Sequence, residues 1–326
     1  MKIGIIGTAH MHAESYVKHL RTLDVEIVGA FDRNNSRLAE FCKRHKLPAF
    51  KELNRLLKSD IDTVLICSEN AFHADYAVAS AMYGKHVIVE KPMALSVSEA
   101  DKMILACESS KVKLMVAHPV RFSKVMQELK ANVDAGNIGR VLAIDATNHG
   151  KNPGGWFTEP ELSGGGAIID HTIHMADMVY ALFQPKIESV FATSENWTEG
   201  AAVEDTGLLH IRFQDGVFMS LDTSWNRPEA YPVWGDASLA LVTENGYVHV
   251  DGFGRKGLRY TEEKPIHFDY YETDMDFLML EAFKKAVDEG LPSPVPGAAG
   301  RFTVLLTKMA YASIEQEKLI YWEDIR

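Results

Sequence analysis

The sequence predicts an α/β protein in two parts: an N-terminal doubly wound parallel sheet, then an α+β domain with a large, mostly antiparallel open sheet. Three observations carry this expectation. Through the first third of the chain, short and nearly all-apolar segments alternate with helix-like ones, as parallel strands covered on both faces do. Further on, strand-like segments alternate apolar and polar residues, and turn sequences such as "QDG" and "ENG" join them. The chain has 326 residues, enough for two domains with sizeable cores, placed here at 1–121 and 122–326.

In the first part, "KIGIIG" is a buried strand and the stretch after it to Leu23 a helix. "VEIVGAFD" is a second strand, and "NSRLAEFCKRH" a helix with Ser36 placed to cap it. "IDTVLICS" and the helical "AFHADYAVASAMYG" follow, then the strand "KHVIVEK". Ser96 or Ser98 opens the helix "SVSEADKMILACESS", and "KVKLMVAH" is the fifth strand. In the second part, the helix "KVMQELKANVDAG" precedes six strands: "RVLAIDAT", "IESVFATSENW", "GLLHIRFQDG", "GVFMSLDTSW", "ASLALVTENG" and "YVHVDGF". A helix near residues 166–183 interrupts them, and two helices joined by the Pro-rich "LPSPVPGAAG" close the chain.

The formal net charge of −11 argues against a nucleic-acid or anionic-membrane partner, since both reward a basic surface. No apolar run is long enough to span a bilayer, and "MKIGIIG" does not read as a signal peptide. Cys42, Cys67 and Cys107 are scattered, which suits reduced thiols and a cytoplasmic location.

Residues 2–15 read "KIGIIGTAHMHAES". A strand running into Gly7 opens like a dinucleotide-binding turn, but G-x-G-x-x-G has Ala9 at its second glycine and His12 at its third. Ala9 adds modest crowding, and His12 predicts a helix standing further from the sheet. Alone, the segment reads equally well as an ordinary strand–helix turn. Asp32, ending the second strand in "FDRN", is placed to accept hydrogen bonds from both ribose hydroxyls and to repel a 2′-phosphate, which favours NAD over NADP. Asp32 is otherwise a turn or capping residue. Arg33 is placed to stack on adenine or pair with a phosphate. His12 is expected to turn into the helix–sheet packing or the substrate cleft.

"VIVEKP" (87–92), preceded by "GKH", resembles the E-K-P signature of the Gfo/Idh/MocA oxidoreductases, a family named for glucose–fructose oxidoreductase and inositol dehydrogenase. "VAHPVRF…AGNIGRV" is similar to the family's domain junction, "SGGGAIIDHTIHMADMVY" to its D-x-x-x-H helix, and "EDTGLLHIRFQDGVFMSLDTSW" to its sheet-forming region. In order and spacing these resemblances cover nearly the whole chain. Besides the altered glycine pattern, the loop "SEN" departs from the Thr-Pro-Asn often found there: Asn70 and His73 are kept, and Glu69 replaces the proline. The resemblance implies a Rossmann domain that binds NAD, with contacts from Gly7, Ala9, His10, Met11, Asp32, Arg33, Cys67, Ser68, Glu69, Asn70, His73, Glu90 and Lys91. It implies oxidation of a hydroxyl on a sugar, polyol or cyclitol, or reduction of the matching ketone.

Lys91 ends the fourth strand, on the ligand side of an open parallel sheet, although a solvated strand-end lysine is the simpler reading of it alone. Asp170 and His174, four residues apart, share one helix face, and Gly164, Gly165 and Gly166 before them allow the helix start to approach a ligand. The family motif implies that His174 takes or gives the proton, that Asp170 binds a substrate hydroxyl, and that Lys91 binds the reacting hydroxyl and stabilises the alkoxide. His171 beside Asp170 raises a metal site, but no further ligand stands at suitable spacing and none is expected. His149 and Trp156 are candidates to line the substrate pocket, with Trp156 equally a packing aromatic. Arg121 either binds a polyol or anion or ties the domains together. "SWNRPEAYPVWG" (224–235) is a substrate loop or a subunit contact. The strands of the second domain predict a broad sheet face and a homodimer or homotetramer formed through it. A non-catalytic protein that senses a dinucleotide or sugar is the alternative on the same fold.

Overall fold

The computed structural model describes residues 1–254, 256–261, 267–270 and 274–325. In chain order its first elements are β1 (Lys2–Ile6), α1 (His12–Thr22), β2 (Glu26–Phe31), α2 (Asn35–His45), β3 (Ala49–Phe50), α3 (Leu53–Leu57), β4 (Thr63–Ile66), α4 (His73–Met82), β5 (His86–Glu90), α5 (Val97–Ser109) and β6 (Leu114–Ala117). There follow α6 (Lys124–Asp134), β7 (Val141–His149), α7 (Pro160–Ser163), α8 (Ala167–Phe183), β8 (Ile187–Glu195), β9 (Thr206–Phe213), β10 (Phe218–Ser224), β11 (Ser238–Thr243), β12 (Gly246–Asp251), β13 (Lys256–Thr261) and β14 (His267–Tyr270). The chain closes with α9 (Met275–Asp288), α10 (Gly297–Gln316) and β15 (Ile320–Tyr321).

Two compact units result, one of Met1–Pro119 with Asp276–Arg301, the other of Val120–Met275 with Phe302–Arg326. The sequence reading placed everything beyond residue 121 in one domain. The structure instead returns Asp276–Arg301 to the first unit, because the apolar face of α9 (Met279, Leu280, Phe283, Ala286) is buried there. Several contacts hold this segment in place. Phe277 meets His19 edge-on, Val116 N–H donates to Val295 O, and Arg301 pairs with Asp101.

The first unit is a six-stranded parallel sheet in the order β3-β2-β1-β4-β5-β6. The order reverses between β1 and β4, which opens a crevice at the carboxyl ends of those strands. β1, β4, β5 and β6 are buried almost throughout, as their unbroken apolar runs require. Five strands were expected. The sixth, β3, is a two-residue edge strand, too short to show periodicity. Asn34, not Ser36, caps α2, accepting from the N–H groups of Ser36 and Arg37. Ser96 caps α5 through Glu99 N–H.

The second unit is built on a nine-stranded sheet, β14-β13-β12-β11-β7-β10-β9-β8-β15, antiparallel except where β10 runs parallel to β7. Six strands were expected here; β13, β14 and the two-residue β15 are additional. One face of the sheet packs on α6, α8 and α10 around Ile144, Met175, Val179, Leu209, Leu239 and Leu306. The other face exposes Phe191, Leu208, Phe218, Val242 and Tyr247. Among the described residues no helix is long and apolar enough to cross a membrane.

Candidate functional site

In the first unit the turn after β1 meets the loop after β4. Gly7 adopts φ +77°, and a Cβ added there would lie 2.5 Å from Ser68 Cα, so only glycine fits. Gly7 N–H donates to Phe31 O at 2.7 Å and His10 N–H to Cys67 O at 3.0 Å, which ties the turn to both neighbouring strands. α1 begins directly after this turn with its N-terminus in the crevice, the arrangement that receives a pyrophosphate. Asp32 stands at the end of β2. These residues fit a dinucleotide despite the missing glycines.

His12 turns inward, its Nδ1 3.1 Å from Glu90 Oε1, and so fills space that a third glycine would leave empty. Glu90 is fully buried, and its Oε2 accepts Lys91 N–H at 3.0 Å. Burial opposes a charge on His12, but the Glu90 carboxylate outweighs it and raises the imidazole pKa. Burial lowers the pKa of His10 to about 3. His10, His12 and Glu90 each bring one donor atom within 4.8 Å of the others. Met11, by contrast, is 46 % exposed. His73 is buried with Nδ1 2.8 Å from Pro92 O and Nε2 3.2 Å from Ser68 O, linking the loops after β4 and β5, and burial lowers its pKa. Cys67, Ser68, Glu69, Asn70 and Lys91 are all buried around these loops.

Asp32 is held by several donors of the protein. Arg37 grips it from α2, Nε to Oδ2 at 2.9 Å and NH2 to Oδ1 at 2.8 Å. Thr8 donates to it through both N–H and hydroxyl, and Asn34 through N–H. Burial would raise its pKa, but these donors outweigh burial and lower it. Arg33 lies over the Phe72 ring, 3.9 Å from its centroid.

In the second unit α8 carries Asp170, His171 and His174, all buried. Trp225 Nε1, just beyond β10, donates to Asp170 Oδ2 at 3.0 Å. His171 Nε2 is 3.4 Å from the same oxygen, while Nδ1–H donates to Asn148 O at 2.9 Å. His174 meets Phe253 edge-on, with ring centroids 6.1 Å apart.

Two of the three glycines before α8, Gly165 and Gly166, make room for neighbouring groups of the protein. A Cβ on Gly165 would lie 1.9 Å from the Tyr311 hydroxyl, and one on Gly166 1.9 Å from Glu204 O. That clearance lets Glu204 reach the helix start. Its Oε1 accepts the N–H groups of Gly166 and Ile168, each at 3.0 Å, and its carbonyl accepts Ala167 N–H at 2.9 Å. Tyr311 donates its hydroxyl hydrogen to Glu204 at 2.8 Å and accepts Ile169 N–H at 3.3 Å. The orphan donors of the first turn are thereby satisfied.

Residues 1–118 match the oxidoreductase family described as having an NAD-binding Rossmann fold, and residues 126–249 match the Gfo/Idh/MocA C-terminal domain. The chain belongs to the Gfo/Idh/MocA family. Over its full length it is 29% identical to myo-inositol 2-dehydrogenase of Thermotoga maritima, covering 99% of that protein. It is 26% identical to D-xylose 1-dehydrogenase (NADP(+)) 2 of Haloferax volcanii, over 89% of this chain and 90% of that one. The crystal structure of a probable dehydrogenase from Thermotoga maritima superposes with a TM-score of 0.83 at 26% identity, covering all of both chains.

Within the Gfo/Idh/MocA frame, the first unit gathers the expected cofactor residues and Lys91, and the second gathers Asp170 and His174. Three substrate candidates have partners within the protein. Arg121 donates from Nε to Asp177 Oδ2 at 2.9 Å and from NH2 to the other oxygen, so its guanidinium braces α8. His149 lies between two carboxylates, Nε2 3.1 Å from Asp222 and Nδ1 3.2 Å from Asp236. Trp156 stacks on Phe157, centroids 3.9 Å apart, beside a cluster of Ala167, Val203 and Trp225. Sequence reasoning missed Arg37, Glu204 and Trp225. Only Trp225 left a signal, as an aromatic in a loop already singled out.

Proposed function

We propose that this protein is a dehydrogenase that transfers a hydride between NAD and a hydroxyl or ketone carbon of a sugar, polyol or cyclitol. The observation that carries the reading is Asp170, one turn before His174 on a buried helix and held by Trp225 and His171. The named activities of the curated relatives, on myo-inositol and D-xylose, support the substrate class. Two buried carboxylates on one arginine, Asp32 after β2 and Glu69 in the loop after β4, support NAD over NADP.

Bound nicotinamide would accept or supply the hydride. The chain's part is to orient the carbinol and move its proton. Asp170 accepts a hydrogen bond from a substrate hydroxyl, with its other oxygen pinned by Trp225. His174 takes the hydroxyl proton in oxidation and returns it in reduction. Lys91 donates to the reacting oxygen and stabilises the charge that develops there.

The test is an NAD-linked assay on a polyol and sugar panel with Lys91→Ala and His174→Ala. Each is expected to lower kcat by about 100-fold or more, the usual worth of a positioned proton-transfer group. Two variants with undiminished kcat on a turned-over substrate would refute the roles. NAD binding without turnover across the panel would point to a sensor. The exposed apolar face of the second sheet supports self-association, which sedimentation at micromolar concentration would check.

A further inference from the structure

Glu69 lies in the loop after β4, and the structure gives it a partner. Its Oε1 accepts a 2.8 Å hydrogen bond from Arg37 NH2. The same guanidinium holds both oxygens of Asp32. Asp32 is 2% exposed and Glu69 8%, so two desolvated carboxylates share one arginine. The neighbouring cation, Arg33, is exposed and lies over Phe72.

Arginine is the side chain best suited to a phosphate, through bidentate, charge-assisted hydrogen bonds. Arg37 reaches the carboxylate proposed to meet the adenosine ribose, so a freed Arg37 would be well placed for a 2′-phosphate. Held by Asp32 alone, it would have one anion to leave. Held by two, it has both to leave, and the incoming phosphate meets a second negative charge. Selectivity of this kind comes from a repulsive element as much as an attractive one.

We propose that Glu69 is a cofactor-specificity residue: it clamps Arg37 against Asp32 and so excludes dinucleotides bearing a 2′-phosphate. This rests on the reading of the first unit as the NAD site. The test measures dissociation constants for NADH and NADPH by fluorescence, and for 5′-ADP and 2′,5′-ADP by calorimetry. It uses the wild-type chain, Glu69→Gln, Arg37→Ala and the double variant. Glu69→Gln is expected to lower the NADPH:NADH ratio of dissociation constants by about tenfold, the worth of one charge-assisted bond. The 2′,5′-ADP ratio should move the same way. Arg37→Ala should move both ratios in the opposite direction, and the double variant should lose the gain. An unchanged ratio in Glu69→Gln overturns the clamp, as does an equal gain without Arg37 or a wild-type preference for NADPH. Failure of the wild-type chain to bind either dinucleotide overturns the underlying reading instead.

Discussion

The indole N–H of Trp225 points at Asp170 and donates to its Oδ2 at 3.0 Å. The donor comes from the segment after β10 and the acceptor from the first turn of α8, and both residues are buried. A buried carboxylate keeps its direction only if its donors are fixed, and an indole packed among Phe157, Ala167 and Val203 is a fixed donor. The sheet thus sets the aim of a helix side chain.

Trp225→Phe keeps an aromatic side chain but removes the N–H together with the pyrrole ring. It is expected to cost about 2–4 kcal/mol of stability, from the lost hydrogen bond to a buried carboxyl group and the cavity left by the missing ring. If Asp170 binds substrate, kcat/KM should fall about tenfold or more while NADH affinity stays unchanged. Lost stability with intact kcat/KM would show that Trp225 does not orient Asp170 for substrate.

The cap that Glu204 and Tyr311 place on α8 predicts graded losses in urea unfolding. Tyr311→Phe should cost about 1 kcal/mol and Glu204→Ala about 2 kcal/mol, since the latter strands several donors. Gly166→Ala should cost more than either, because its Cβ would meet Glu204 O at 1.9 Å and the whole cap must move. Equal, small effects across the series would refute the cap.

His149 predicts an alkaline limit to stability. Asp222 and then Asp236 raise its pKa from 6.5 to about 9. The folded value lies above the unfolded one, so this contribution is complete below about pH 6.5 and is lost as pH rises through about 9. Asp236 shifts the other way. Burial opposes its ionisation, but bonds from His149, Thr147 and Arg227 outweigh it, so its contribution is present above about pH 4 and lost as pH falls further. Solvent screening limits the His149 contribution to about 1–2 kcal/mol. Thermal melts from pH 6 to 10 should show a decline that His149→Gln removes; a wild-type melt flat to pH 10 would contradict the pairing.

Gly7→Ala should weaken NADH binding at least tenfold and lower Tm, since the new Cβ would be 2.5 Å from Ser68 at a positive φ. Ala9→Gly should leave the affinity equal or improved. NADH fluorescence titration decides both, and full affinity in Gly7→Ala would mean that the turn does not hold the cofactor.

The sequence alone determined the two sheets, most of their strands and the family. Those follow from near-neighbour patterns: unbroken apolar runs for strands covered on both faces, alternation for the open sheet, and residue order around "EKP" and Asp170/His174. Gly7 was legible too, because a turn demanding a positive φ selects glycine locally. β3 and β15 were not, since two residues carry no period. Tertiary structure decided everything that depends on partners distant in sequence. It returned α9 to the first unit, turned His12 onto Glu90, and set Arg37 between Asp32 and Glu69. It also explained Gly165 and Gly166 by Tyr311 and Glu204, and gave Asp170 its donor in Trp225. The α9 docking buries apolar side chains and the others pair polar groups that water would otherwise satisfy, and a partner dozens of residues away, such as Glu69 for Arg37, leaves no periodic trace in the chain.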